Sequence, residues 1–366
     1  MKIQCNLIPL IVILAFTFST NAQNSTAVYV PAHPDDWQLF MNPNAYKDVK
    51  TPNQKVVFIH ATAGYAGAGT GNNNYYLARE EGSLRALRFV SNTFTTGSGL
   101  GSNMNETTVT INGHQILKFT YRNIVAYFLR LPDGGIDGTG YSLHGYTSLE
   151  KLYNGSSSSI SAIDGTTTYT SLTDLKNTLQ SLVQLEATNT ATLTFHVADD
   201  DTSINPGDHS DHRYSSLIMQ DVANTIGDVT LNLYSGYDTG SRSQNVFGDD
   251  YLISAGTWGA TASGLSDNFH ESSWNASHNV WLGKQNFRTI QTNQPPVAVA
   301  SATPSSGIAP LEVAFTGSGS SDDQGIVSHD WDFGDGSGST QIDPVHTFTS
   351  AGTYDVQLTV TDGSGL

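Results

Sequence analysis

The chain has 366 residues, with 16 basic against 33 acidic side chains and a net charge of −17. At that length two domains are expected, and so acidic a surface excludes nucleic acid and anionic membranes, which bind through clustered Lys and Arg. The one cysteine is Cys5, at the extreme N-terminus, so beyond it there is no disulfide, thiolate ligand or cysteine nucleophile, and a metal must be held by His, Asp or Glu.

Residues 1–22 open on Lys2, run apolar through 7–18 and end in Ser19, Thr20 and Ala22, the pattern of a secretory signal peptide cleaved before Gln23. A run of ~12 apolar residues is too short to span a bilayer. No later stretch is apolar enough, so the expectation is export to the periplasm, the bacterial cell surface or the medium, with no membrane insertion after cleavage.

Two short β-branched runs follow, 27–32 (AVYVPA) and 55–62 (KVVFIHAT), of the kind found in buried parallel strands. A Gly-rich loop at 64–71 leads into a predicted helix over 75–89, with Leu77, Leu84 and Leu87 at helical spacing. Residues 107–111 and 116–121 flank Asn112-Gly113, a hairpin signal, and 124–131 is a further strand ending at Pro132-Asp133-Gly134-Gly135. An amphipathic helix is expected over 173–186, on Leu175, Leu179, Leu182 and Leu185. Then come a strand at 191–197, a helix within 210–226 and a strand at 229–234. Alternating strands and helices argue right-handed crossovers and a mostly parallel, Rossmann-like sheet flanked by helices. The composition changes at 291–296 (QTNQPP), and beyond it only short runs remain, clearest at 311–316, 326–333 and 353–361. That is the pattern of a small β-sandwich. The expected division is 1–22 signal peptide, 23–292 catalytic α/β domain and 293–366 sandwich.

Two segments carry chemistry. His33-Pro34-Asp35-Asp36 lies at the end of the first predicted strand, where ligands gather in open α/β sheets. Asp208-His209-Ser210-Asp211-His212 follows the strand at 191–197. Each segment alone also reads as a solvated polar loop. Both at strand ends supply the N and O donors that zinc takes, with a spare carboxylate to accept a proton from water. His60, inside an apolar strand, reads as a packed core histidine, and Trp258, Trp274 and Trp281 read first as core residues.

With those motifs in hand, the sequence resembles the LmbE-like zinc N-deacetylases. Pro31-Ala32-His33-Pro34-Asp35-Asp36 matches that family's first signature and residues 209–212 its HxDH signature. Thr62, Arg79-Glu80-Glu81 and Leu131-Pro132-Asp133-Gly134 match between them, over about 26–235. The resemblance implies a Zn2+ held by His33, Asp36 and His212, with Asp35 as general base. It implies that His209 adds positive charge near the developing oxyanion and that Asp211 tunes or orients His209. Either Asp35 or His209 then protonates the leaving amine. Arg79 and Asp133 match positions that contact sugar hydroxyls. The sequence departs from the family at Trp37, usually acidic, and at Gly207, a Tyr in some relatives. Residues 236–288 match only loosely.

Residues 331–336 (WDFGDG), 346–348 (HTF) and 351–354 (AGTY) resemble a PKD domain, an immunoglobulin-like sandwich. That resemblance implies core roles for Trp331 and Phe333, one further strand beyond Leu366, and contact with a polysaccharide or cell surface. The expected function is an exported zinc-dependent N-deacetylase acting on an N-acetylated saccharide of the N-acetylglucosamine type. The alternatives are a zinc amidohydrolase on a non-sugar acylated metabolite and a non-catalytic glycan-binding or adhesion protein.

Overall fold

The structure, a computed structural model, describes residues 2–4, 24–68, 74–94, 103–188, 190–363 and 365–366. The expected signal peptide lies outside these residues except for Lys2–Gln4, which form strand β1. The chain divides into two compact units, Asn21–Gln291 and Thr292–Leu366 with Met1–Thr20.

The larger unit begins with β2 (Asn24–Tyr29), α1 (Asn44–Lys50), β3 (Gln54–Thr62), α2 (Tyr75–Asn92), β4 (Asn105–Ile111), β5 (His114–Tyr121) and β6 (Ile124–Leu131). It continues with α3 (Leu149–Tyr153), the ribbon β7 (Ile160–Ser161) and β8 (Thr168–Tyr169), α4 (Leu172–Glu186), β9 (Thr190–Ala198) and α5 (Ser210–Ile226). It closes with β10 (Val229–Tyr234), α6 (Gly248–Asp267), α7 (Ala276–Asn279) and β11 (Phe287–Gln291). Eight strands form one sheet in the order β11-β10-β9-β2-β3-β6-β5-β4. The central five, β10 to β6, run parallel, and β11, β5 and β4 extend the two edges antiparallel.

Period-two alternation splits the strand side chains between two cores. Val28, Val57 and Ile59 pack with Leu175 and Leu182 of α4 and Ile218 and Val222 of α5. Ala27, Tyr29, Val56 and Phe58 pack on the other face with Leu84 and Leu87 of α2 and with Trp258 of α6. Both faces are therefore covered, which is why these strands read as continuous apolar runs. At the turn between β4 and β5 the predicted hairpin forms, with Asn112 and Gly113 at φ 49° and 88°. Leu77 and Leu185 are exceptions to the helical expectation. They are 37% and 53% exposed, having rotated off the buried stripes of α2 and α4.

α6 spans 20 residues that no apolar period announces. Its Ala, Gly, Ser and Thr content instead permits close approach to α2. A Cβ placed on Gly82 would lie 2.8 Å from the carbonyl oxygen of Thr261, and one on Gly264 would lie 2.5 Å from Cα of Gly82. Backbone meets backbone at this crossing.

The second unit contains β12 (Ser301–Thr303), β13 (Leu311–Thr316), β14 (Ile326–Asp332), β15 (Gly338–Ser339), β16 (Val345–Phe348), β17 (Thr353–Asp355) and β18 (Gln357–Asp362). Two three-stranded sheets, β12-β13-β16 and β15-β14-β18, face each other over Val313, Phe315, Trp331, Phe333, Phe348 and Val356. The single strand expected over 353–361 is broken at the buried Val356, so that β17 pairs with β1 and β18 with β14. The fold is thus a mostly parallel α/β sheet between helices, followed by a β-sandwich.

Candidate active site

β2 occupies the middle of the sheet. The chain leaves it toward β3 on one side and returns to β9 on the other. The strand order therefore reverses between β2 and β9, and the carboxyl ends of these strands form the crevice where open α/β sheets bind ligands. His33 to Asp36 leave β2 into this crevice, and 208–212 enter it at the start of α5, with His209 as the N-cap residue.

The structure brings His33, Asp35, Asp36, Asp133, His209, Asp211 and His212 together, all buried. Donor atoms of His33, Asp36 and His212 lie within 4.8 Å of one another, and so do those of His33, Asp133, His209 and Asp211. Hydrogen bonding separates these two sets. In the second, Asp133 already accepts from the backbone N–H of Ala66 at 3.0 Å and of Gly135 at 2.8 Å. Nδ1 of His209 accepts from the N–H of Asp211 at 3.1 Å.

In the first set, Nδ1 of His212 faces Asp208 at 2.9 and 3.0 Å and donates to it, leaving the Nε2 lone pair outward. That Nε2 is buried with no hydrogen bond, although Oδ1 of Asp36 lies 3.2 Å away. Two acceptors converging at that range call for a cation between them. Nδ1 of His33 stands 3.3 Å from Oδ2 of Asp36, which also accepts the His33 N–H at 2.6 Å. The His33, Asp36 and His212 set therefore fits a metal ion, with Asp208 fixing the tautomer of a ligand from behind.

The fields agree. Burial alone would lower His33, but Asp36, then Asp211 and Asp133, raise it to about 10. His212 likewise resists burial because Asp208 and Asp36 hold it well above its ordinary value. For Asp36, burial is outweighed by His212 and His33, which hold it well below the carboxylate range. These three residues are a site built to surround positive charge, whether protons or a cation that displaces them.

His209 differs. Burial, reinforced by His33 and His212, lowers it to about 3. That direction runs against the positive charge expected on His209, whose Nδ1 accepts a backbone N–H and whose Nε2 lies 3.8 Å from Oδ1 of Asp133. Asp211 meets both histidines, its backbone N–H donating to Nδ1 of His209. Its Oδ2 takes the N–H of Gly134 at 2.9 Å and stands 3.3 Å from Nε2 of His33, but 3.9 Å from His209. The Asp211 carboxylate therefore supports His33, and Asp133 is the carboxylate near Nε2 of His209. Burial raises Asp211, whose Oδ1 has no hydrogen-bond partner. Arg79, on α2, donates to Asp35 and to the carbonyl of Gly64. It holds the carboxylate beside the cluster as an ion pair.

Two contributors were missed in the sequence. Asp208 was read only as part of a polar motif, and Tyr237 sits in the loosely matching segment. The ring of Tyr237 meets that of His212 edge-on at 5.2 Å and stacks on Trp281 at 5.2 Å. Trp281 thus lines the surroundings of the site, whereas Trp258 is core. His270 packs against Tyr75 and His278 against Trp258. His60 is a core histidine within β3, as its setting implied.

Comparison with known proteins places the second unit first. Residues 293–366 match the PKD domain family model. A microbial collagenase of Vibrio alginolyticus is 46% identical over 80 residues, covering 22% of this chain and 10% of the collagenase. Collagenase ColA of Clostridium perfringens is 40% identical over 77 residues, 21% of this chain and 7% of that protein. The chain thus spans a tenth or less of these curated relatives. Among solved structures, N,N'-diacetylchitobiose deacetylase from Pyrococcus horikoshii is similar over 73% of this chain and 84% of its own, at 11% identity and a TM-score of 0.42. The teicoplanin deacetylase Orf2 is similar over 66% of this chain and 85% of its own, at 10% identity and a TM-score of 0.35. The PKD1 domain of Vibrio anguillarum Epp is 40% identical over 20% of this chain and 82% of its own, with a TM-score of 0.18. No helix among the described residues is long and apolar enough to cross a membrane.

Proposed function

We propose that the larger unit is a zinc-dependent N-deacetylase that hydrolyses the acetamide of an N-acetylated amino sugar, in an exported protein. The observation that carries this reading is the convergence of His33, Asp36 and the unpartnered Nε2 of His212, with a carboxylate outside the ligand set, Asp35, beside them. Neutral imidazole and carboxylate donors, with no thiolate, suit zinc in a hydrolytic site with an open position. A bound zinc would supply Lewis acidity to water and to the amide carbonyl.

The chain's own groups supply the rest. Asp35 accepts a proton from the attacking water, and Arg79 holds its carboxylate through an ion pair. The Nε2 proton of His209 serves as a neutral donor to the carbonyl oxygen as negative charge grows there. Asp35, once protonated, returns the proton to the departing amine. Arg79 also contacts the sugar, whereas Asp133 acts through His209, its oxygens being taken by backbone N–H groups. The sandwich would contact a polysaccharide or cell surface.

The test is amine and acetate release from a panel of N-acetylated saccharides, oligosaccharides and non-sugar acetamides by the zinc-loaded protein. Release from the saccharides supports the proposal. Release confined to non-sugar amides would assign another substrate class. Binding of the glycans without release, by protein that carries zinc, would make this a lectin-like remnant.

A further inference from the structure

We propose that the hydroxyl of Tyr237 is a further catalytic group, donating a hydrogen bond to the substrate oxygen that gains charge during amide hydrolysis. This rests on the deacetylase reading above.

The backbone around Tyr237 is fixed from three sides. It follows β10, at the same end of the sheet as the metal-competent cluster. The N–H of Gly236 donates to Asn205 at 3.0 Å, and the N–H of Tyr237 donates to Oδ1 of Asp208 at 3.1 Å. Asp208 is the carboxylate that holds Nδ1 of His212, so one side chain sets both the imidazole and the tyrosine. The carbonyl of Tyr237 accepts from Nε1 of Trp281 at 3.2 Å.

Its ring is equally constrained. It stacks on Trp281 with an interplanar angle of 20°, and it meets His212 at 74° and His209 at 81°. A phenol so clamped keeps few rotamers, so presenting its O–H to a ligand costs little entropy. The hydroxyl is the one polar group of the residue left over, forming no hydrogen bond with any described residue. The ring centroid stands 5.2 Å from that of His212 and 6.4 Å from that of His209, beside the metal-competent cluster. Tyr127 and Tyr234 pair their hydroxyls with Glu186 and His196, whereas Tyr65 and Tyr169 leave theirs unpaired in the core, so it is the setting of the Tyr237 ring against His212 and His209 that distinguishes it.

The chemistry places it. Water oxygen forms a bond to the amide carbon, its proton passes to Asp35, and the carbonyl π pair moves onto oxygen. The C–N bond then breaks, its electron pair leaves on nitrogen, and the proton from Asp35 completes the amine while the C=O re-forms on acetate. The oxygen is most basic in the tetrahedral species, and there a donor from Tyr237 complements that from His209.

Tyr237→Phe removes only the hydroxyl and keeps the stack. With N-acetylglucosamine oligomers, kcat should fall about 10²-fold while KM and zinc content stay near wild type. Affinity for the methylphosphonamide of glucosamine, a tetrahedral mimic, should fall by a similar factor, while KM for a planar N-acetylglucosamine glycoside hardly changes. A Phe variant with wild-type kcat and wild-type affinity for the mimic would overturn the role. Equal losses for planar and tetrahedral probes would also overturn it, making Tyr237 a ground-state contact. A wild-type protein that neither hydrolyses nor binds any of these probes would instead sink the deacetylase reading, and this inference with it.

Discussion

The sheet interior and the strand ends of the larger unit each bury a histidine, and the two are handled in opposite ways. His60, within β3, is fully buried, with Nδ1 donating to the carbonyl of Tyr127 at 3.1 Å and Nε2 facing Oγ of Ser83 at 2.9 Å. The indole N–H of Trp37 already donates to that oxygen at 2.9 Å, so the Ser83 proton goes to His60 and every group is satisfied by a neutral partner. Burial then lowers His60 to about 4. His212, at the strand ends, faces carboxylates on both nitrogens, is raised in spite of burial, and leaves Nε2 without a hydrogen bond. Depth alone therefore distinguishes nothing. Partner charge and an unfilled lone pair mark the chemical histidine, and complete neutral satisfaction marks the structural one.

The sharpest way to break this comparison is to truncate both. His212→Ala should lose bound metal and reduce acetate release by more than about 10³-fold, the scale on which a reacting group is removed. His60→Ala should keep the metal and instead lose about 2–4 kcal/mol of stability in denaturant unfolding, from a cavity and orphaned partners. Metal loss in the His60 variant alone would reverse the assignment. Next in size, Asp35→Asn should retain zinc and fold while kcat drops about 10²- to 10⁴-fold. Loss of zinc there would place Asp35 rather than Asp36 among the ligands. Asp208→Asn leaves the ligands in place but weakens the support of Nδ1, so zinc affinity by competitive chelation should fall about 10- to 100-fold. An unchanged affinity would make Asp208 a support for the 236–237 backbone only.

The smallest effect is on pH. Between pH 6.5 and about 4 the unfolded chain takes up a proton at residue 60 that the folded chain refuses. Stability from this group is complete above pH 6.5 and is lost as pH falls through about 4, by up to about 3 kcal/mol. Comparing unfolding free energies at pH 7 and 4.5, His60→Gln should show a shallower loss than wild type. Equal slopes would mean that His60 is protonated in the fold.

The legibility of the molecule followed the same physical divide. Strong signals came where one element imposes a pattern by itself. Buried strands gave β-branched runs, Asn112-Gly113 gave its hairpin, and His33 to Asp36 stood at a strand end. What stayed hidden depends on neighbours distant in sequence. α6 packs through small residues, so no apolar period marks it. Asp208 gains its role only from the rotamer of His212, and Tyr237 from its stack on Trp281, 44 residues away by the hydrogen bond that joins them. That the Asp211 carboxylate meets His33 was equally hidden, since it is decided by the Gly134 backbone N–H that holds it and not by spacing.

The most direct test of the central claim is anomalous diffraction above and below the zinc absorption edge on crystals of the zinc-loaded protein. The account predicts one strong edge-dependent peak within bonding distance of His33, Asp36 and Nε2 of His212, with Asp35 outside that shell. A peak among His33, Asp133, His209 and Asp211, or no peak in protein that still releases acetate, would contradict it.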